Sequence, residues 1–255
     1  MIWVKRYFLI LTVLLIGCKE EKTFADDIVL SFPQDEKLTF QEFNEATEEY
    51  EKSIMYVGKD TSIINVKYFR IPPLPLASNY KLDSSYIQKQ KLISFCFNGA
   101  FDRMKYSNKP ILFDSLSENN IEISIKIKDT IPHYAYNNQT KELKKYKAFP
   151  TFIKNISGKK LILPEFKNFP IAFLNKQNRW QIIRNDNFLI FDNGNWKHRY
   201  WEFNPNEIMV FSVNFLDGKE KGKFKVLIGN TSSEEFEMNY DKKIIDYQRD
   251  TYFVK

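Results

Sequence analysis

The sequence is poor in the residues from which compact reactive sites are built: its 255 residues include two cysteines, two histidines and eight glycines. Neither Cys18 nor Cys96 stands with His133 or His198 at the spacing of a zinc site. Glycine falls well below its usual share of about 7%, so loops whose bare backbone cradles phosphate are scarce. No Gly-x-Ser-x-Gly elbow, phosphate loop or dinucleotide fingerprint occurs. Asp192-Asn193-Gly194-Asn195 lacks the alternation and closing glutamate of a calcium loop and reads as a tight turn. No residue set points to a cofactor or a metal. A one-sided charge is missing too, since 38 basic side chains face 32 acidic ones and the two are interspersed. Nucleic-acid binding, which needs a basic stripe, is therefore not expected. The apolar run at 7–16 is about half the roughly 20 residues that a helix needs to cross a hydrocarbon core.

That run is nonetheless the most specific feature present. Lys5 and Arg6 precede it, Thr12 alone interrupts it, and it stops at Leu15-Ile16-Gly17-Cys18, the layout of a secretory signal. Leu15-Ile16-Gly17-Cys18 resembles the lipobox of bacterial lipoproteins, a signal cleaved just before a cysteine that becomes diacylated. The resemblance implies a signal peptide at 1–17, a mature chain starting at Cys18, and a membrane as its first partner. Two acyl chains hold firmly where one binds reversibly, at about 0.8 kcal/mol per buried methylene. Lys19, Glu20 and Glu21 are similar to the surface-export signal of some lipoproteins, and a solvated charged linker is the alternative. Position 19 is not Asp, unlike the inner-membrane retention signal. The expected location is the outer membrane, lipid-anchored and exposed at the cell surface, with a periplasm-facing body as the alternative.

Cleavage removes Lys5 and Arg6, which leaves 36 basic against 32 acidic side chains and a net charge of +4. Lipidation uses Cys18, so Cys96 has no disulfide partner. It sits in Leu92-Ile93-Ser94-Phe95-Cys96-Phe97, where a lone cysteine behaves as a small apolar residue.

Residues 18–37 are expected to be the lipidated cysteine and a flexible tether. Thr39 with Glu42 then forms a capping box, and Phe40, Phe43, Ala46, Thr47 and Tyr50 recur at helical spacing. The pattern predicts one amphipathic helix over 38–52, its aromatic stripe docked on a sheet and its acids in solvent. From Ser53 the period turns to that of strands. Candidates are 62–69, ending in the proline-rich connector 71–75, then 86–97, then 121–128. In the last, Ile121, Ile123, Ile125 and Ile127 alternate with Glu122, Ser124, Lys126 and Lys128, as in a sheet with one wet face.

A polar, turn-rich stretch over 133–147 suggests a boundary near Lys144, dividing a β-rich region at 38–144 from a second at 145–255. Strands are expected at 148–155, 160–163, 169–175, 180–184, 188–191, 207–215, 223–228 and 234–240. Hairpin turns are expected at 175–178 and 217–222, and Asn204-Pro205-Asn206-Glu207 introduces a strand. This close spacing predicts a mainly β protein with an antiparallel sandwich. The last third resembles an immunoglobulin-like sandwich in its strand spacing and its Pro-x-Glu turn, without the disulfide, and the resemblance carries no binding residues over.

One segment is suited to ligand contact: Trp196, His198, Arg199, Tyr200 and Trp201, which mix aromatic faces with basic groups. Such mixtures stack on sugars and pair with carboxylates, whereas a strand-borne tryptophan equally suits a core. The expected function is a non-catalytic binding or structural role toward a protein or glycan partner. The alternative is an extracellular hydrolase of glycan or peptide whose two carboxylates, about 5 to 10 Å apart, are assembled by the fold.

Overall fold

β-Branched and aromatic residues in short alternating runs cannot bury their surface alone, and here they do so by stacking sheets. The computed structural model describes residues 22–32, 37–41, 53–70, 95–109, 116–137, 142–164, 171–183, 198–246 and 252–253. These are mostly strand, with little helix and several antiparallel sheets in a sandwich-like arrangement. In chain order the strands begin with β1 (Val29–Ser31), β2 (Ile54–Lys59), β3 (Ile63–Asn65), β4 (Tyr68–Arg70) and β5 (Phe95–Phe97). A single helical turn, α1 (Asn98–Phe101), leads into β6 (Met104–Ser107), β7 (Ile121–Ile125), β8 (Ile131–Asn137) and β9 (Glu142–Asn155). Next come β10 (Leu161–Pro164), β11 (Ile171–Leu174), β12 (Trp180–Ile183), β13 (His198–Phe203) and β14 (Glu207–Asn214). The chain ends with β15 (Glu220–Ile228), β16 (Thr231–Ser232), β17 (Phe236–Tyr240), the turn α2 (Lys243–Asp246) and β18 (Tyr252–Phe253).

The middle layer is a five-stranded sheet of order β2-β14-β9-β7, with β8 also paired to β9. In β14 every residue from Ile208 to Val213 is buried, and in β9 the same holds from Ala148 to Ile153, so this sheet is covered on both faces. Pro150 lies inside β9 yet breaks no ladder. The β7 pairing ends at Ile125 opposite Thr151 and that of β8 starts at Ile131 opposite Ala148, so the missing N–H falls in the gap between them.

One face of the middle sheet packs against a second sheet of order β16-β15-β11-β12-β18, with β17 on β15. The Phe149 ring meets Phe236 at 5.4 Å, and behind it Phe173, Phe224 and Tyr240 form an aromatic cluster with centroids 4.9 to 5.8 Å apart. Gly222 is required there, because a Cβ would stand 2.6 Å from Phe173. A third, smaller sheet has the order β10-β13-β6, and β4 and β5 form a two-stranded antiparallel pair.

The other face of the middle sheet is covered by the chain at 22–32, which overturns part of the expected tether. Thr23 is locked in a turn, its N–H and Oγ1 donating to the Asp26 carboxylate at 2.9 and 2.8 Å. Ala25 and Ile28 are buried, and β1 runs parallel to β3. The polar face of β7 is consequently not wet throughout. Ser124 Oγ donates to Thr23 Oγ1 at 2.9 Å, and Lys126 Nζ donates to the carbonyls of Asp26 and Ile28 at 3.1 and 2.6 Å.

The two turn regions had different outcomes. At 175–178 the hairpin forms between β11 and β12. Asn175 Oδ1 accepts from the N–H groups of Gln177 and Arg179, and Asn178 adopts φ 56°. The turn at 217–222 joins no hairpin, because β14 belongs to the middle sheet and β15 to the second. Gly218 passes so close to the Tyr240 backbone that a Cβ there would lie 1.9 Å from its carbonyl carbon. Strand β9 runs straight through Lys144, where the sequence changes character. It pairs with β7 and β8 from before that point and with β14 from after it. The expected strand at 62–69 is split into β3 and β4, and of 86–97 only β5 is described. Of the helix expected over 38–52, the described residues 38–41 are not helical: Thr39 forms a β-bridge with Tyr146 and Phe40 lies under Lys147 Nζ at 4.5 Å, while residues 42–52 lie outside the described part.

Candidate functional site

The alternation within β13 decides what its side chains can do. Trp201 and Phe203 point inward and are 4% and 0% exposed, while His198, Tyr200 and Glu202 occupy the opposite face and are half-buried. Trp201 is therefore not a ligand-contact residue. Its indole N–H donates to the carbonyl of Ala100 at 2.6 Å, which fixes α1 against the small sheet. A buried tryptophan needs such an acceptor, and the first turn after β5 supplies one. Arg199 stands in register with Tyr106 at the sheet margin. Trp196 lies outside the described residues, as do Cys18, Lys19, Glu20, Glu21 and the turn at 192–195.

The outward face of the β10-β13-β6 sheet thus gathers His198, Tyr200 and Glu202 with groups from both neighbouring strands. Tyr200 is in register with Lys105 on one side and Pro164 on the other, and Glu202 with exposed Ile162. Lys105 and Lys160 converge on the Glu202 carboxylate at 2.8 and 3.2 Å. Hydrogen bonds from Lys105 and then Lys160 hold that carboxyl below its ordinary range, against a small opposing effect of burial. Two cations on one anion leave an excess positive charge beside a phenol and an imidazole. Such a surface can accept a carboxylate-bearing or hydroxyl-rich partner.

Beneath this face lies a multiply bonded ion pair. Arg103, in the turn before β6, grips Glu207 in a two-pronged contact, Nη1 to Oε1 at 2.7 Å and Nη2 to Oε2 at 2.9 Å. Nη2 also donates to the Glu202 carbonyl at 3.0 Å, and the Asn204 N–H donates to Glu207 Oε2 at 2.8 Å. Burial pushes the Glu207 carboxyl up, but the hydrogen bonds from Arg103 and Asn204 outweigh it and hold the carboxyl down. The clamp ties the small sheet to the first residue of β14. A general acid for glycoside cleavage needs a raised pKa, and both carboxyls here are shifted the other way.

The core holds one further polar contact of chemical interest, between His133 Nδ1 and Ser212 Oγ at 2.8 Å. A serine beside an imidazole is the first half of a nucleophilic arrangement. Both side chains are buried, however, and Ser212 Oγ also lies 3.4 Å from the Ser53 carbonyl, so the pair bridges β8, β14 and the start of β2.

No family model, curated protein or solved structure matches this chain. The reading therefore rests on its own residues. Among the described residues no group of three or more His, Cys, Asp or Glu side chains is placed to hold a metal ion, and nothing there indicates catalysis. The Arg103–Glu207 and His133–Ser212 contacts, 104 and 79 residues apart in the chain, have no signature in the sequence. The one local hint was Asn204-Pro205-Asn206-Glu207, whose Asn206 adopts φ 61° and turns Glu207 back toward the Asn204 N–H.

Proposed function

We propose that this chain is a lipoprotein of the bacterial outer membrane, moored through acylated Cys18 and displayed with the help of Lys19, Glu20 and Glu21. Its β-rich body serves a non-catalytic binding or structural role. The observation that carries this reading is the order Lys5-Arg6, a short apolar run, then Leu15-Ile16-Gly17-Cys18. A ten-residue run suits export and cleavage, and it is too short to span. The outward face of β13, with His198, Tyr200, Lys105 and Lys160, is the surface offered to a protein or glycan partner. Glu202 and Glu207, the carboxyls at and beneath this face, are both held below the ordinary range by their hydrogen bonds and stay ionised as anchors for the cations around them.

Metabolic labelling with a fatty acid tests the mooring. The native chain takes up label and Cys18→Ala does not; label retained by Cys18→Ala refutes it. Protease treatment of intact cells tests display. Neutral replacements at Lys19, Glu20 and Glu21 should protect the body, and equal cleavage of both forms rejects the export signal.

A further inference from the structure

Resting on that lipoprotein reading, we infer that the body is held directly against the lipid surface, with the β1–β3 margin turned toward the bilayer. Thr23 is fixed to the body: its N–H and hydroxyl are tied to Asp26, and its Oγ1 accepts from Ser124 in β7. Only five peptide steps separate Cys18 from Thr23. A fully extended chain covers at most about 3.5 Å per residue, so Thr23 stands no more than about 17 Å from the acylated cysteine. The headgroup layer takes up about 5 to 7 Å of that. Had 18–37 been free, the reach would have been about 70 Å. The lock at Thr23 removes three quarters of it.

What this short leash brings to the membrane is apolar. Val29 and Ile63 are cross-strand partners in the parallel β1–β3 pair, and each is 59% exposed, the highest value among the large hydrophobic residues described. Val29 follows Thr23 by six residues, and the turn between them doubles back through hydrogen bonds from Asp26 N to the Thr23 carbonyl and from Ile28 N to the Ala25 carbonyl. The patch is too small to bind a membrane from solution. A short tether raises the effective concentration of the second contact to the millimolar range, which makes a weak apolar contact with the interface persistent. The β11–β12 hairpin belongs to the sheet on the opposite face of the middle layer, so it points away from the lipid.

The full acylated protein, reconstituted in phosphatidylethanolamine and phosphatidylglycerol vesicles that carry nitroxide on a fraction of headgroups, tests the geometry. A bioorthogonal fluorophore is placed at Ile63 in one sample and at Gln177 in another, both exposed positions, so no cysteine is altered. Quenching should be several-fold stronger at Ile63 than at Gln177. Inserting twenty Gly/Ser residues after Glu21, which leaves the export signal intact, should abolish the difference. Equal quenching at both positions, or quenching at Ile63 unchanged by the insertion, overturns the apposition while mass spectrometry still finds acyl chains on Cys18. An unmodified Cys18 in that spectrum overturns the mooring itself, and the apposition with it.

Discussion

Replacing Arg103 by alanine removes the one cation that, among the described residues, is paired with Glu207, and leaves its carboxylate, 12% exposed, with the hydrogen bond from the Asn204 N–H. Breaking a fully buried ion pair from one side costs about 3 to 5 kcal/mol. Arg103 is 29% exposed and water reaches part of the pair, so the expected loss is about 2 to 3 kcal/mol. For a body of this size that corresponds to a fall in melting temperature of roughly 5 to 10 °C. Glu207→Gln keeps the shape and should cost less, about 1 to 2 kcal/mol, but it changes the pH response. The folded carboxyl titrates below its unfolded value, so the ionised form contributes stability above about pH 4.5, and that contribution fades as pH falls through the folded pKa. Urea unfolding of the native chain and of Glu207→Gln, followed from pH 7 to pH 3, should show two stability curves that converge on the acid side. A gap that stays constant across that range refutes the electrostatic account. So does a cost of Arg103→Ala below about 0.5 kcal/mol, the size of an ordinary surface ion pair.

Three further outcomes follow from packing and burial. Gly222→Ala drives a methyl group into Phe173 and should destabilise by about 1 to 3 kcal/mol, whereas Gly158→Ala meets nothing within 4 Å and should be close to neutral; thermal melts of the pair compare them directly. Trp201→Phe strands the buried Ala100 carbonyl and should cost about 2 kcal/mol by chemical denaturation, while a cost near zero would mean that solvent reaches that carbonyl. Burial, and then Tyr68, push the Tyr134 phenol up to about 12. Its contribution is present below about pH 10 and is lost as pH rises toward 12, so Tyr134→Phe should flatten that alkaline loss of stability, and an unchanged slope would contradict it.

The parts of the fold that the sequence made legible are those decided by neighbours in the chain. Alternation at 121–125 placed β7, and the asparagines at 175 and 178 placed a hairpin, because side chains one or two residues apart settle both. Pairing across sheets was not legible. The turn residues at 217–222 were legible, but turn chemistry says nothing about which sheet the next strand joins. The chain at 22–32 looks like a solvated spacer by composition. What orders it is a carboxylate three residues from a threonine and two carbonyls aimed at Lys126, a hundred residues away. In β13 the alternation was readable, but not which face was in. That was decided by the distant carbonyl of Ala100, and it separates Trp201 from Tyr200 and His198.

Strand β14 lies between β2 and β9, so the central ladder of the body joins residues 54–59, 148–154 and 207–214. Until residues 207–214 have emerged, β2 and β9 each present an open edge, and no shorter N-terminal piece can bury them. A chain of this kind gains its stability late, through contacts between distant segments, and such contacts form slowly. On the lipoprotein reading proposed above, the chain crosses one membrane unfolded before it settles on another, and delay is then useful. On that reading, the strand that completes the sheet would also keep the unfinished chain from folding on the wrong side.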